Sequence, residues 1–288
     1  MRWWARLAVT LAAISFITAG ARIGAAAEAA RLELAWADNL LTIRQPQLPG
    51  GKLVVNYLEA FCRNGSSDRD WTETVIPHTT RLVSAADDRH ELALESRLRD
   101  GVIVNHKILA GTDEVSFELS AHNPTETASE VHWAQPCIRV DEFTGRNQDD
   151  YLAFCFVLID GKVTRLPTRP WATKARYTPG QVYCPKHVDR GDVNPRPLSS
   201  LVPSHGLIGA FSGDGRWIVA SAWEPYQELF QGVLVCVHAD LRIGGLKSGQ
   251  TKQIHGKIYL TRDSIDELVK RYERDFPEHL LRNETKGP

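Results

Sequence analysis

The sequence predicts an all-β protein, a large two-sheet antiparallel β-sandwich with one C-terminal helix. Three observations carry this. Apolar and polar residues alternate with a period of two in segment after segment, compact turn signals separate those segments, and convincing helical spacing in the body of the chain is confined to residues after Thr261. The 288-residue chain is 43% hydrophobic, enough to bury a core without disulfide staples.

The elements follow in order. LLTIR and KLVVNYLEAFC open the series, and in ELALESRL the residues Leu92, Leu94 and Leu98 share a face. In GVIVNHKILA, Val102, Val104 and Ile108 form the apolar face, and His106 lies on it, where a hydrogen-bonded core histidine is expected. The clearest strand is 114–122, in which Val115, Phe117, Leu119 and Ala121 alternate with polar neighbours. SEVHWAQPCIRV, YLAFCFVLI, GLIGAFS, RWIVASAW, GVLVCVHA and KQIHGKIYL complete the strands. Arg99-Asp100-Gly101, Ala110-Gly111-Thr112 and Asp160-Gly161 mark tight hairpins, so antiparallel meanders are the expected connection. In RDSIDELVKRYERDF, Asp263 or Ser264 caps a helix whose Ile265, Leu268, Val269, Tyr272 and Phe276 form a stripe that packs on the outside of a sheet.

Two segments differ in kind. Residues 1–27 hold Arg2, Arg6 and Arg22 but no acid, and run from a basic start through an apolar stretch to an A-x-A site at Ala25 to Ala27, the order of a secretory signal peptide. A single sandwich domain is then expected over 28–280, with a flexible tail at 281–288, in an exported protein that is periplasmic or extracellular. Residues 167–205 hold seven of the fifteen prolines, with Trp171, Tyr177 and Tyr183 among them, and predict an ordered loop on a binding face.

Charge restricts the partners. The chain carries 34 basic and 35 acidic residues, and its formal net charge of −1 argues against a nucleic-acid binder. No apolar stretch after the signal is long enough to span a bilayer, so no transmembrane segment is expected once the signal is cleaved. Fingerprints of nucleotide binding, zinc proteolysis and serine hydrolysis are missing. The five cysteines show no C-x-x-C spacing; Cys62, Cys137, Cys155 and Cys236 read as small buried hydrophobes, and no metal is expected.

Chemistry is therefore sought in polar residues within strands. His132, Trp133 and Gln135 on one strand suit sugar recognition: an imidazole that exchanges protons, an indole that stacks, and an amide that donates and accepts. A core role for His132 and Trp133 is the alternative. In SAWEPYQELFQG, Glu224, Gln227, Glu228 and Gln231 lie among Trp223, Tyr226 and Phe230, where a desolvated carboxylate gains a raised pKa and can act as base or acid. His238 and Asp240 form a His-x-Asp pair that suits a hydrogen bond or a metal. Arg63 and Trp71, in a charged run, are candidates to orient a sugar.

At these clusters the chain resembles the galactose mutarotase-like superfamily, the aldose 1-epimerases and their relatives. FELSAHNPTETASEVHWAQP is similar to the family's strands in which an asparagine and turn lead to a catalytic His, here His132. GVLVCVHADLRIGGLKSGQTKQIHGKIYL is similar to its closing element, with a turn at Lys247 to Thr251 and a final strand. On that match His238 stands where the family has its catalytic Glu, and Glu224 is the nearest carboxylate of suitable setting. The resemblance implies a mutarotase-like supersandwich and cofactor-independent proton transfer: Glu224 or His238 as base and His132 as acid, with Arg63, Trp71, Trp133, Gln135, Trp171 and Gln227 binding a mono- or polysaccharide. Two other functions fit: a non-catalytic carbohydrate-binding or cell-envelope protein, and a polysaccharide lyase or hydrolase.

Overall fold

The computed structural model describes residues 31–66, 69–166, 182–232 and 234–284, so the predicted signal peptide, Trp171 and the last four residues lie outside the described residues. Strands in the first half are β1 (Glu33–Ala37), β2 (Leu40–Arg44), β3 (Lys52–Arg63), β4 (Val75–Ile76), β5 (His78–Ala85), β6 (Glu91–Leu98), β7 (Ile103–Ala110), β8 (Glu114–His122) and β9 (Val131–Arg139). The second half supplies β10 (Cys155–Ile159), β11 (Lys162–Arg165), β12 (Val182–Tyr183), β13 (Leu207–Phe211), β14 (Ile218–Glu224), β15 (Tyr226–Gln231), β16 (Cys236–Arg242) and β17 (Thr251–Thr261). Short helices α1 (Trp71–Thr74) and α2 (Asp141–Thr144) sit between strands, and α3 (Ile265–Asp275) and α4 (Pro277–Glu284) follow them.

The strands form two antiparallel sheets, as the alternation predicts. One has eight strands in the order β1-β2-β3-β9-β16-β15-β12, with β4 on β3; the other has nine in the order β11-β10-β13-β14-β17-β8-β7-β6-β5. Hairpins dominate because the turn residues favour them. Asp160 and Gly161 both take positive φ, 50° and 70°, so the β10–β11 turn closes with Ile159 directly opposite Lys162.

The main core lies between the sheets. Val55, Tyr57 and Phe61 of β3, Ala134 and Ile138 of β9 and Val237, Ala239 and Leu241 of β16 meet Phe117, Leu119 and Trp223 of the other sheet, all buried. Each of those strands has its alternate residues on the opposite face. His106 enters this core as predicted, hydrogen-bonded through Nδ1 to Tyr57 Oη at 3.0 Å and through Nε2 to Ser96 Oγ at 2.9 Å.

A second apolar layer covers the outer face of the nine-stranded sheet. Leu268 and Tyr272 of α3 and Phe276 at its C-cap pack on Phe156, Leu207, Ala220 and Tyr259, which is the role predicted for the helical stripe. Ser264 caps α3 by accepting from Glu267 N at 3.2 Å. Arg271 anchors the helix to the sheet by pairing with both Asp113 and Glu114. The helix α4 extends into the stretch read from sequence as a tail.

Candidate functional site

The outer face of the eight-stranded sheet is unusual because it is polar and buried at once. In β16 the side chains of Val237, Ala239 and Leu241 face the core, so the period of two turns Cys236, His238 and Asp240 outward. All three are nevertheless buried. The register aligns Glu228 of β15 with Asp240 and Phe230 with His238. On the other side of β16, the pairing of Ile138 with Val237 sets Cys137 beside this row.

What covers this face is the segment that follows β12. Val188 and Val193, with Val182 and Cys184, form a small apolar cluster on Phe230. Further along, the Asn194 backbone N–H donates to both carboxylate oxygens of Glu228, at 3.2 and 2.9 Å. This is the described part of the proline-rich segment, and it is ordered by contacts that lie far away in sequence. Its predicted Trp171 is outside the described residues.

The electrostatics follow from that burial. Desolvation is the main cause that pushes Glu228 up to about 8, against the Asn194 hydrogen bonds that favour its ionised form. Asp240 is raised well above the usual carboxylate range by burial first and by Glu228 second. Glu228 and Asp240 share a side-chain hydrogen bond, which needs a proton on one of them, and His238 Nδ1 stands 3.8 Å from Asp240 Oδ1. Two fully buried carboxyl groups this close cannot both ionise cheaply, so the pair holds a proton at neutral pH.

Above this row is a cavity of about 100 Å³ lined by Glu59, Trp71, Gln135, Asn194, Arg196 and Phe230, with Cys137, Cys236 and His238 in its wall. Asn194 Oδ1 is buried without a hydrogen-bond partner among the described residues. Trp71 is half-buried, its ring centroid 6.4 Å from that of Trp133. The lining thus combines an aromatic face with amide, carboxylate and guanidinium groups.

The sequence-predicted residues do not all come together. Trp71, Gln135 and His238 meet at the cavity. Gln227 and His132 join a separate network at one end of the same sheet: Asp192 Oδ2 accepts from Arg242 Nη1 and pairs with His132 Nδ1, each at 3.1 Å, while Gln227 bonds Arg242 and the Asp192 carbonyl. Trp133 is wholly buried against Ala60 and Cys62, with Nε1 donating to Ser66 Oγ at 2.9 Å, so its ring has no face to offer a ligand. Arg63 donates to the carbonyls of Glu73 and Val75 and holds α1 and β4 in place.

Glu224 stands apart. It ends β14 in the nine-stranded sheet, while Tyr226 already begins β15 in the other, and its Oε2 pairs with His279 Nε2 of α4 at 3.0 Å. His132, Glu224 and His238 therefore do not converge. The carboxylates beside His238 are Glu228 and Asp240, which the alternation of VCVHADL together with that of YQELF could have flagged as a shared face.

No family model matches the chain, and no curated protein matches it. Solved structures with a similar arrangement of strands include a proposed aldose 1-epimerase from Escherichia coli K12, at 12% identity and a TM-score of 0.41, covering 81% of this chain and 99% of that one. A galactose mutarotase-like protein from Lactobacillus casei is 7% identical with a TM-score of 0.42, over 80% of this chain and 100% of that one. A galactose mutarotase related enzyme from Lactobacillus acidophilus, also 7% identical, has a TM-score of 0.41 over 80% and 97% of the two chains.

Proposed function

We propose that this chain is a carbohydrate-binding protein whose site is the cavity on the outer face of the eight-stranded sheet. The observation that supports the reading is the lining. The Trp71 ring stands beside Gln135, Asn194, Arg196 and Glu59, an apolar surface for the C–H face of a sugar ring with donors and acceptors for its hydroxyls. The residues that would run epimerase chemistry on the family pattern are engaged elsewhere, His132 by Asp192 and Glu224 by His279. Glycan-array and calorimetric binding test this. Binding that survives Glu224→Ala and His132→Ala but is weakened in Trp71→Ala supports it; no binding to any glycan by folded protein sinks it.

One observation favours a catalytic variant of the same site. His238 lines the cavity and has a buried carboxyl group, Asp240, near its far nitrogen. An imidazole so placed can take a proton from a sugar hydroxyl and return it without a cofactor. Anomer-exchange NMR over a panel of aldoses decides: acceleration that disappears in His238→Ala establishes it, and no acceleration leaves binding alone. Export, predicted from residues 1–27, would place either activity outside the cytoplasm. Among the described residues, no helix is long and apolar enough to cross a membrane.

A further inference from the structure

We propose that Cys137, Cys236 and His238 form a binding site for one thiophilic metal ion of the zinc class, with Asp240 orienting the imidazole. The inference is independent of the sugar-binding reading, and a metal on Nε2 would exclude His238 as the base of the catalytic variant.

Topology supplies the first argument. Cys236 and His238 are two apart on β16 and share its outer face, and Cys137 comes from the neighbouring β9. The two Sγ atoms and one imidazole nitrogen all lie within 4.8 Å of one another, and Cys236 Sγ is 3.2 Å from His238 Nε2. Bonds of about 2.3 Å to sulfur and about 2.0–2.1 Å to nitrogen require tetrahedral donors roughly 3.5–3.8 Å apart. Small side-chain movements bring the three to that spacing.

The imidazole is turned the way a ligand is turned. Nε2 faces the thiols, and Nδ1, which has no hydrogen-bond partner among the described residues, points toward Asp240 Oδ1 at 3.8 Å. A carboxylate behind the distal nitrogen fixes the tautomer and raises the basicity of a metal-bound histidine.

Space gives the third argument. Gly232 leaves the space, since a Cβ there would fall 2.1 Å from Cys236 Sγ and 2.9 Å from His238 Nε2.

Two thiolates and an imidazole select a zinc-class or cuprous ion over calcium or magnesium. Three protein ligands in a cavity wall leave a fourth position for water or a ligand oxygen, the pattern of an open zinc site.

The test uses the full chain, reduced, stripped with a chelator, freed of it and titrated anaerobically with Co2+. One equivalent should produce thiolate-to-cobalt charge transfer and the visible bands of a tetrahedral ion, and Zn2+ should displace both. Cys236→Ser and His238→Ala should weaken binding at least tenfold, Asp240→Asn about tenfold, and Cys155→Ser not at all, with circular dichroism reporting the fold of each. Absence of the thiolate spectrum in reduced wild-type protein overturns the site, whatever the variants do. Equal binding by folded Cys236→Ser and His238→Ala overturns it as well, as does a Cys137–Cys236 disulfide in the protein as purified from an oxidising compartment. Glycan binding is measured separately, so failure of either reading leaves the other standing.

Discussion

Glu228 and Asp240 face each other across the β15–β16 ladder, both fully buried, and only Glu228 receives hydrogen bonds from the backbone of the covering segment. Because Glu228 keeps its proton in the folded state up to about pH 8 and releases it near 4.5 when unfolded, the native state holds the extra proton between those values. Stability therefore falls as pH rises through that window. Glu228→Gln should flatten the profile of urea midpoint against pH, and at pH 8 should be more stable than wild type by on the order of 1–4 kcal/mol.

His106 acts in the opposite direction. Burial lowers its folded pKa from 6.5 to about 3, so the unfolded chain takes up a proton that the native core refuses. Its contribution is fully present above pH 6.5 and is lost as pH falls toward 3, a loss on the order of a few kcal/mol. Acid titrations followed by fluorescence should show a shallower decline in His106→Gln, whose amide retains partners for Tyr57 and Ser96.

The Glu224–His279 pair ties α4 to the end of β14. His279→Ala leaves a buried carboxyl group without that partner and should cost about 1–3 kcal/mol in chemical denaturation. Glycan affinity should stay unchanged, because the pair lies on the other sheet. A parallel fall in affinity would place Glu224 back in the site.

The two tryptophans should separate cleanly. Trp71→Ala should weaken glycan binding by about 0.5–1.5 kcal/mol, the worth of one ring contact, with little effect on folding. Trp133→Ala should lower stability by about 3–5 kcal/mol, since it empties a wholly buried position, and a calorimetric comparison at a temperature where both variants are folded tells them apart.

Asp192 accepts from Gly65 N at 3.1 Å and pairs with His132 and Arg242, so it fastens the covering segment to the sheet. Asp192→Ala should raise amide hydrogen exchange over 184–199 at least tenfold and leave the β5 to β8 meander unchanged. Equal protection in the variant would show that the apolar cluster around Phe230 alone holds the cover.

Much of this architecture is legible in the sequence alone. Alternation identified the strands, Asp160-Gly161 located a hairpin, and the stripe from Ile265 to Phe276 announced a helix lying on a sheet. His106 could be placed in the core because its strand neighbours Val104 and Ile108 fix the face on which it sits. Such features are local: a period of two or of 3.6 residues is written in the order of side chains.

The site was legible only in part. Trp71, Gln135 and His238 were named from sequence and share a cavity, whereas Glu224 and Glu228, four residues apart, look equivalent in the sequence and end on different sheets. The chain crosses from β14 to β15 between them, and no local pattern records that crossing. Likewise, nothing near Asp240 shows that Asn194, Val188 and Val193 will cover it. The sequence by itself determined the two sheets and the helix on one of them, and it set Cys236, His238 and Asp240 at alternate positions of one strand. Tertiary structure decided that this row would be buried rather than wet, because strand register and a covering segment brought from far along the chain set the dielectric around it, and that sets its chemistry.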